Sequence, residues 1–289
     1  MVYRLALYVL APLAIVGLLL NIGWGLFTAL LFFPFMSQAT RNRLIHFWSR
    51  ALLMIVGVRL VIRGDGPRDA FAGTGLSPGT HGLMLLANHV SWLDIYAINA
   101  TVPTRFVAKA EIASWPVIGT LVARTGTLFV ERGRRHAVHA INQVVAGKLK
   151  LGETIGVYPE GTTTEGDTLL PFHANLVQPA IDVQAMVRPI ALRYTQDGSL
   201  SRAAAYVGDD HLLMSLWRVV TAPRLMVEVH WLPPLPQGIQ RRHEAGRLAR
   251  EAIAGALSIK LDSAAPSPAK PADPAPADSP PQSAAGPAS

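Results

Sequence analysis

The chain opens on one apolar run. Residues 5–36 are 32 positions in which Asn21 and Thr28 are the main polar side chains. As a straight helix this run would be about 48 Å long, against a bilayer core of about 30 Å. The pattern predicts one tilted span with an overhang, or a re-entrant helical pair bent near Pro12, Gly17 or Gly23. A cleaved signal peptide is the competing reading. Its apolar stretch would be about 7–15 residues long and followed by a small-residue cleavage site, whereas this run leads into Pro34 and arginines. Residues 44–58 are again mostly apolar, with Arg43, His46 and Arg50 at helical spacing on one face. That is the pattern of an interfacial helix among lipid headgroups; the alternative is a core helix with a solvated basic edge.

From Arg59 the rhythm changes to short apolar runs alternating with amphipathic stretches. The runs predict strands at 58–63, 83–87, 104–108, 127–131, 154–158, 187–193 and 225–231. Helices are predicted near 92–100, 116–124, 135–150, 173–184, 210–219 and 242–258. Such alternation predicts an α/β fold with a central, mostly parallel sheet flanked by helices. Residues 263–289 are rich in Pro, Ala and Ser, with no aromatic or large aliphatic side chain. Such a segment cannot bury enough surface to offset its ordering entropy and is expected to be disordered. The expected division is therefore 1–57 membrane anchor and interfacial helix, 58–262 folded domain, and 263–289 tail.

Charge sharpens this division. The formal net charge is +7, and residues 1–63 carry six arginines and no acidic residue. With one net negative charge in the tail, residues 64–262 are left with about +2. A nucleic-acid binder would place its basic excess on the folded domain; here it lies beside the apolar run and suits anionic lipid headgroups, so no nucleic-acid partner is expected. Only Arg4 precedes the run while Arg41, Arg43 and Arg50 follow it, which puts the downstream chain in the cytoplasm. The sequence contains no cysteine, which excludes disulfides, thiolate catalysis and cysteine zinc sites.

Four segments could carry chemistry. In Leu85-Leu86-Ala87-Asn88-His89-Val90-Ser91-Trp92-Leu93-Asp94 an apolar strand gives way to a polar turn, and Ser91 with Asp94 forms a helix-capping pattern. Asp94 could hold one nitrogen of His89 so that the other accepts a proton from an alcohol. The bland alternative is a capped helix with a bystander histidine. In Gly126-Thr127-Leu128-Phe129-Val130-Glu131-Arg132-Gly133 a strand end presents Arg132, a phosphate fork or a solvated surface cation. In Val157-Tyr158-Pro159-Glu160-Gly161-Thr162 a strand ends in a tight turn. Its amides and hydroxyls could bind an anion, while Glu160 could hold an arginine or a glycerol hydroxyl; an ordinary threonine-capped turn is the alternative. Arg188-Pro189-Ile190-Ala191 is an apolar strand broken by proline, either lining an acyl channel or buried near a sheet edge. Lys109 is a further cation at a strand end.

Each signal is weak alone, but their order is not. Asn-His-x4-Asp, then Gly-x5-Arg, then Tyr-Pro-Glu-Gly-Thr, then Arg-Pro-Ile-Ala resembles the glycerolipid acyltransferase family, and within it the lysophosphatidate acyltransferases. The resemblance spans about residues 83–193. It departs mildly at Tyr158, where phenylalanine is usual, and at Glu131, where aspartate is common. It implies a glycerolipid-acyltransferase-like α/β domain with His89 and Asp94 as a charge-relay pair. It also implies that Arg132, Glu160, Gly161 and Thr162 contact the phosphate end of the acceptor, with Lys109 near it. No cofactor or metal is implied; acyl-CoA or acyl carrier protein thioester is the co-substrate, and the partners are membrane lipids and lysophosphatidate. Similar blocks occur in enzymes that acylate lyso-ornithine lipid, so that acceptor stays open. A membrane lipid-binding protein without catalysis and a thioesterase are the readings from other classes.

Overall fold

A computed structural model describes residues 2–66, 82–131 and 135–262. Arg132 and the 263–289 tail lie outside the described residues.

Helix α1 runs from Val2 to Leu31 without a break at Pro12, Gly17 or Gly23, so the bent re-entrant pair does not form. Residues Val9–Leu31 are long and apolar enough to cross a membrane, with a mean hydropathy of 2.0 and 11% burial over an 18-residue stretch of them. The chain reverses at Phe33–Phe35 and enters α2, Gln38–Ile55, whose first turn is capped by the Ser37 hydroxyl accepting from Thr40 N–H at 3.2 Å. The two helices form a hairpin. Trp48 Nε1 donates to Asn21 O at 2.9 Å, and its indole lies where a Cβ on Gly25 would stand, 2.9 Å from two ring atoms. Glycine at 25 is what lets α2 approach this closely.

The remaining elements are β1 Arg59–Gly64, β2 Leu83–Ala87, α3 Leu93–Asn99, β3 Arg105–Lys109, α4 Ile118–Arg124, β4 Leu128–Val130, α5 Arg135–Lys150, β5 Thr154–Val157, β6 Thr168–Leu169, α6 Gln178–Asp182, β7 Met186–Gln196, β8 Ser199–Leu200, α7 Leu212–Val220, β9 Met226–Trp231, α8 Arg242–Leu257 and β10 Lys260–Leu261. The main sheet has the order β1-β9-β7-β2-β5-β3-β4, with β8 paired to β7. Strands β7, β2, β5, β3 and β4 run parallel, and β9 and β1 run against them.

Strand β2 shows why the sheet is central. All five of its residues are buried. Leu83, Leu85 and Ala87 pack with α2, α3 and α7 on one face, whereas Met84 and Leu86 pack with α5 and α8 on the other. A strand buried on both faces reads as a continuous apolar run rather than an alternating one.

Two expectations change in detail. Strand β7 runs unbroken through Pro189, between β2 and β9 rather than at a sheet edge. Its pairing with β9 begins at Ile190 opposite Trp231, so Pro189 lies one residue beyond that ladder. The single helix expected near 173–184 is a short 3-10 turn at Ala174–Leu176 followed by α6, with Pro179 in its first turn. The small β6–β10 sheet, which ties the end of α8 to the loop after Glu160, had no sequence signal.

Candidate active site

The parallel strands place the candidate residues along one edge. The C-terminal ends of β2, β5, β3 and β4 carry His89, the 158–162 turn, Lys109 and the approach to Arg132. This is the side on which open parallel sheets present their sites.

The turn after β2 is tied to segments remote in the chain. Asn88 Nδ2 donates to Leu192 O at 3.0 Å, and its Oδ1 accepts from Leu192 N at 2.7 Å. The side chain thus continues the β2–β7 ladder one step past the last backbone pair, Ala87–Ile190. The next three peptide groups meet partners from distant segments. Thr164 N donates to His89 O at 2.8 Å, Tyr206 N donates to Val90 O at 2.9 Å, and His89 N donates to Glu160 Oε1 at 2.8 Å.

Asp94, fully buried in the first turn of α3, has both oxygens engaged. Its Oδ2 accepts from His89 Nδ1 at 2.8 Å, Val90 N at 2.7 Å and Ser91 N at 3.0 Å. Its Oδ1 accepts from the hydroxyl of Tyr194 at 2.7 Å. Ser91 answers by accepting Leu93 N–H at 3.2 Å. An ionised carboxylate only accepts, so Nδ1 carries the imidazole hydrogen and Nε2 keeps its lone pair. Among the described residues Nε2 has no protein partner, and the side chain of His89 is 21% exposed. A fixed tautomer with a free, reachable lone pair is what a general base requires.

The histidine ring is also clamped from one face. Tyr158 stacks on it at 3.9 Å between centroids and 11° between planes, and Phe106 stacks on Tyr158 at 5.6 Å and 4°. Burial, with the charge of Asp94 nearby, pushes the Tyr158 and Tyr194 hydroxyls well above the usual tyrosine range. Tyr194 therefore stays protonated and remains a donor. The Tyr158 hydroxyl is buried and has no hydrogen-bond partner among the described residues.

Glu160 is buried against the His89 turn. It is 1% exposed, and its two oxygens accept His89 N–H and, at 3.0 Å, Leu170 N–H. Burial raises its carboxyl to about 7, against the pull of those two amides and of Arg250. Arg250 in turn donates to Leu170 O at 2.8 Å and Leu169 O at 2.6 Å, fixing the loop that supplies the second amide. Glu160 braces the His89 turn from behind. Its neighbours face outward: Gly161 turns the chain at φ 75°, a conformation open to glycine, and Thr162 is exposed. Lys109 is exposed at the end of β3, in register with Val130 at the end of β4 and two residues before Arg132. Asn88 belongs to the Asn-His motif, but its bonds to β7 were not legible there, and Tyr194 and Arg250 were not singled out by local sequence; Tyr194 lies 100 positions from Asp94, and no short motif connects them.

A histidine of fixed tautomer at the C-terminal edge of a parallel sheet, beside an outward-facing turn, has the geometry to take a proton from a hydroxyl. Residues 70–193 match the model of the Acyltransferase family. The chain is 36% identical over 218 residues to the lyso-ornithine lipid O-acyltransferase of Pseudomonas aeruginosa, covering 75% of this chain and 79% of that one. It is 41% identical over 193 residues to the 1-acyl-sn-glycerol-3-phosphate acyltransferase of Neisseria gonorrhoeae, covering 67% and 72%. The fold matches the crystal structure of the 1-acyl-sn-glycerophosphate acyltransferase PlsC from Thermotoga maritima with a TM-score of 0.59 at 19% identity, over 88% of this chain and 93% of that one. The chain belongs to the Acyltransferase family and is a membrane-associated enzyme.

Proposed function

We propose that the chain acylates the sn-2 hydroxyl of lysophosphatidate, forming phosphatidate, with acyl-CoA or an acyl carrier protein thioester as donor. The observation that carries this reading is the Asp94-held His89 tautomer in a chain of the acyltransferase family. His89 Nε2 takes the proton of the acceptor hydroxyl as its oxygen attacks the thioester carbonyl. Asp94 stabilises the imidazolium that forms, and its charge is held in place by three N–H donors and the Tyr194 hydroxyl. The proton then passes from His89 to the leaving thiolate, so no acyl-enzyme, metal or cofactor is required. Arg132, Lys109, Gly161 and Thr162 line the phosphate end, and Glu160 acts behind them on the His89 backbone. The anchor comprises residues 1–57 and the catalytic domain 58–262, with the active site on the cytoplasmic face of the inner membrane.

A second acceptor, lyso-ornithine lipid, is favoured by the longer match to the Pseudomonas aeruginosa relative. The test uses membranes containing the protein, labelled acyl-CoA or acyl carrier protein thioester, and each acceptor in turn. Phosphatidate is the expected product, with turnover at least about a hundredfold lower in His89→Ala. Ornithine lipid as the sole product moves the substrate and leaves the mechanism standing. Near-normal turnover by His89→Ala rejects the base assignment. Arg132→Ala should raise the KM for the phosphorylated acceptor; an unchanged KM removes Arg132 from the phosphate site.

A further inference from the structure

Helix α7 exposes an unusual face for a helix of a folded domain. Leu212, Leu213, Met214 and Trp217 are 38%, 78%, 60% and 42% exposed, while Leu216, Val219 and Val220 are buried in the core. Apart from His211, which precedes its first turn, the exposed side has no polar side chain. The one charged residue of α7, Arg218, is ion-paired. Its guanidinium forms two bonds with Asp210, at 2.6 and 3.1 Å, and donates to Ala205 O at 2.7 Å. Scattered surface leucines are ordinary, but four large apolar residues within two turns of one helix, with no charge among them, mark a contact surface.

The position of α7 identifies what covers it. The helix packs on α1, and Ala11 and Leu18 of α1 share a core cluster with Leu216 and Val219. The flanks of this contact on α1 are themselves apolar and exposed, since Leu10 and Leu19, next in the chain to Ala11 and Leu18, are each more than half exposed. The exposed face of α7 therefore continues the apolar surface of the membrane helix. The basic residues of the adjoining hairpin suit the same neighbour, since Arg43 and Arg50 of α2 are exposed on a stripe with Phe47 and Met54.

We propose that α7 is a second membrane-contacting element, which lays Leu212, Leu213, Met214 and Trp217 into the apolar boundary of the bilayer that holds α1. Two bonds link this contact to the candidate active site. Trp92 Nε1 donates to Ser215 Oγ of α7 at 3.1 Å, and Trp92 lies between His89 and Asp94 in the chain. Arg218 holds Ala205 next to Tyr206, whose N–H supports Val90 O. The bilayer surface is thereby held beside the His89 turn, where a lysolipid leaving the membrane reaches the base without crossing water. The contact itself is independent of the acceptor; its value to turnover rests on the proposed acyl transfer.

The absence of cysteine allows a clean test. Single variants Leu213→Cys on α7, Val16→Cys on α1 and Glu251→Cys on the exposed side of α8 carry an environment-sensitive fluorophore. The full chain is reconstituted in phosphatidylethanolamine–phosphatidylglycerol vesicles containing lipids spin-labelled near the headgroup end of the acyl chain. The expected result is strong quenching at 213, at least half of that at 16, with little at 251. Quenching at 213 no greater than at 251 overturns the proposal. So does a buried-type emission at 213 that spin-labelled lipid leaves unquenched, since that means protein covers the face. In a second arm, Leu213→Asn/Met214→Asn should lower turnover of vesicle-embedded lysolipid at least tenfold and stay within twofold on a short-chain, monomeric acceptor. Equal loss on both acceptors refutes the link to substrate delivery, whereas absence of turnover by the unmutated protein rejects the proposed function and leaves the quenching result to stand.

Discussion

Replacing Glu160 with glutamine keeps the shape of the side chain and removes half of its accepting capacity. The carboxylate takes His89 N–H on one oxygen and Leu170 N–H on the other. A primary amide has a single acceptor oxygen, so its NH2 must face one of the two backbone donors. Leaving one buried N–H unsatisfied costs about 1–3 kcal/mol. A share of about 1.4 kcal/mol expressed in the transition state lowers kcat about tenfold. Because Glu160 faces away from the cleft, acceptor KM should stay unchanged. The variant also removes a titration. The carboxyl is raised from 4.5 to about 7, so the folded state keeps this proton after the unfolded chain has lost it. Stability from this group is accordingly greatest below about pH 4.5, falls as pH rises to about 7, and is level above that. The fall amounts to about 3 kcal/mol at 1.36 kcal/mol per unit. Denaturant titration in detergent micelles between pH 4.5 and 8 reads this directly. Relative to Glu160→Gln, the unmutated protein should lose up to about 3 kcal/mol of stability as pH rises from 4.5 toward 7 and beyond. Parallel curves, or an unchanged kcat, would refute the reasoning that a buried, titrating Glu160 positions the His89 turn.

Two buried tyrosines near Asp94 should respond oppositely to loss of their hydroxyls. Tyr194→Phe removes a donor to the buried carboxylate and should cost about 1.5–3 kcal/mol of stability, with kcat down about tenfold at constant KM; unaltered kcat would remove Tyr194 from the positioning of Asp94. Tyr158→Phe deletes a hydroxyl with no partner and keeps the ring stacked on His89, so stability should stay level or rise, as a melting curve will tell. Gly156→Ala would set a Cβ 2.6 Å from the Phe106 ring and 2.8 Å from Thr104 Cγ2. Overpacking of about 1–3 kcal/mol should result, with kcat lowered because Phe106 supports the Tyr158–His89 stack; unchanged denaturation midpoints would show that the ring gives way freely.

The chain itself determined the elements and the chemistry-bearing turn. Five buried residues from Leu83 to Ala87 can only be a strand or part of a buried helix, and the Asn-His that follows marks where that strand ends. The reach from His89 to Asp94 is local: five residues across a capped helix start bring Nδ1 to within 2.8 Å of a carboxylate oxygen. Short-range geometry of this kind depends on the backbone preferences of a few neighbouring residues, so it is legible in order and spacing. The apolar length of α1 is legible for the same reason. Its continuity through Pro12 and its seating on α2, α4 and α7 are not, since they depend on Trp48 meeting Gly25 and on other contacts between distant residues. The direction in which Glu160 points was likewise decided by tertiary structure. The motif presents a glutamate after a strand, and only the arrival of His89 N–H and Leu170 N–H from two other segments turns it inward. Tyr194 shows the limit most plainly. It is one apolar-patterned position in β7, and it becomes a partner of Asp94 because sheet order sets β7 beside β2. Pairing of strands remote in the chain is governed by the sum of packing over both faces of the sheet, and no single stretch of sequence carries that sum.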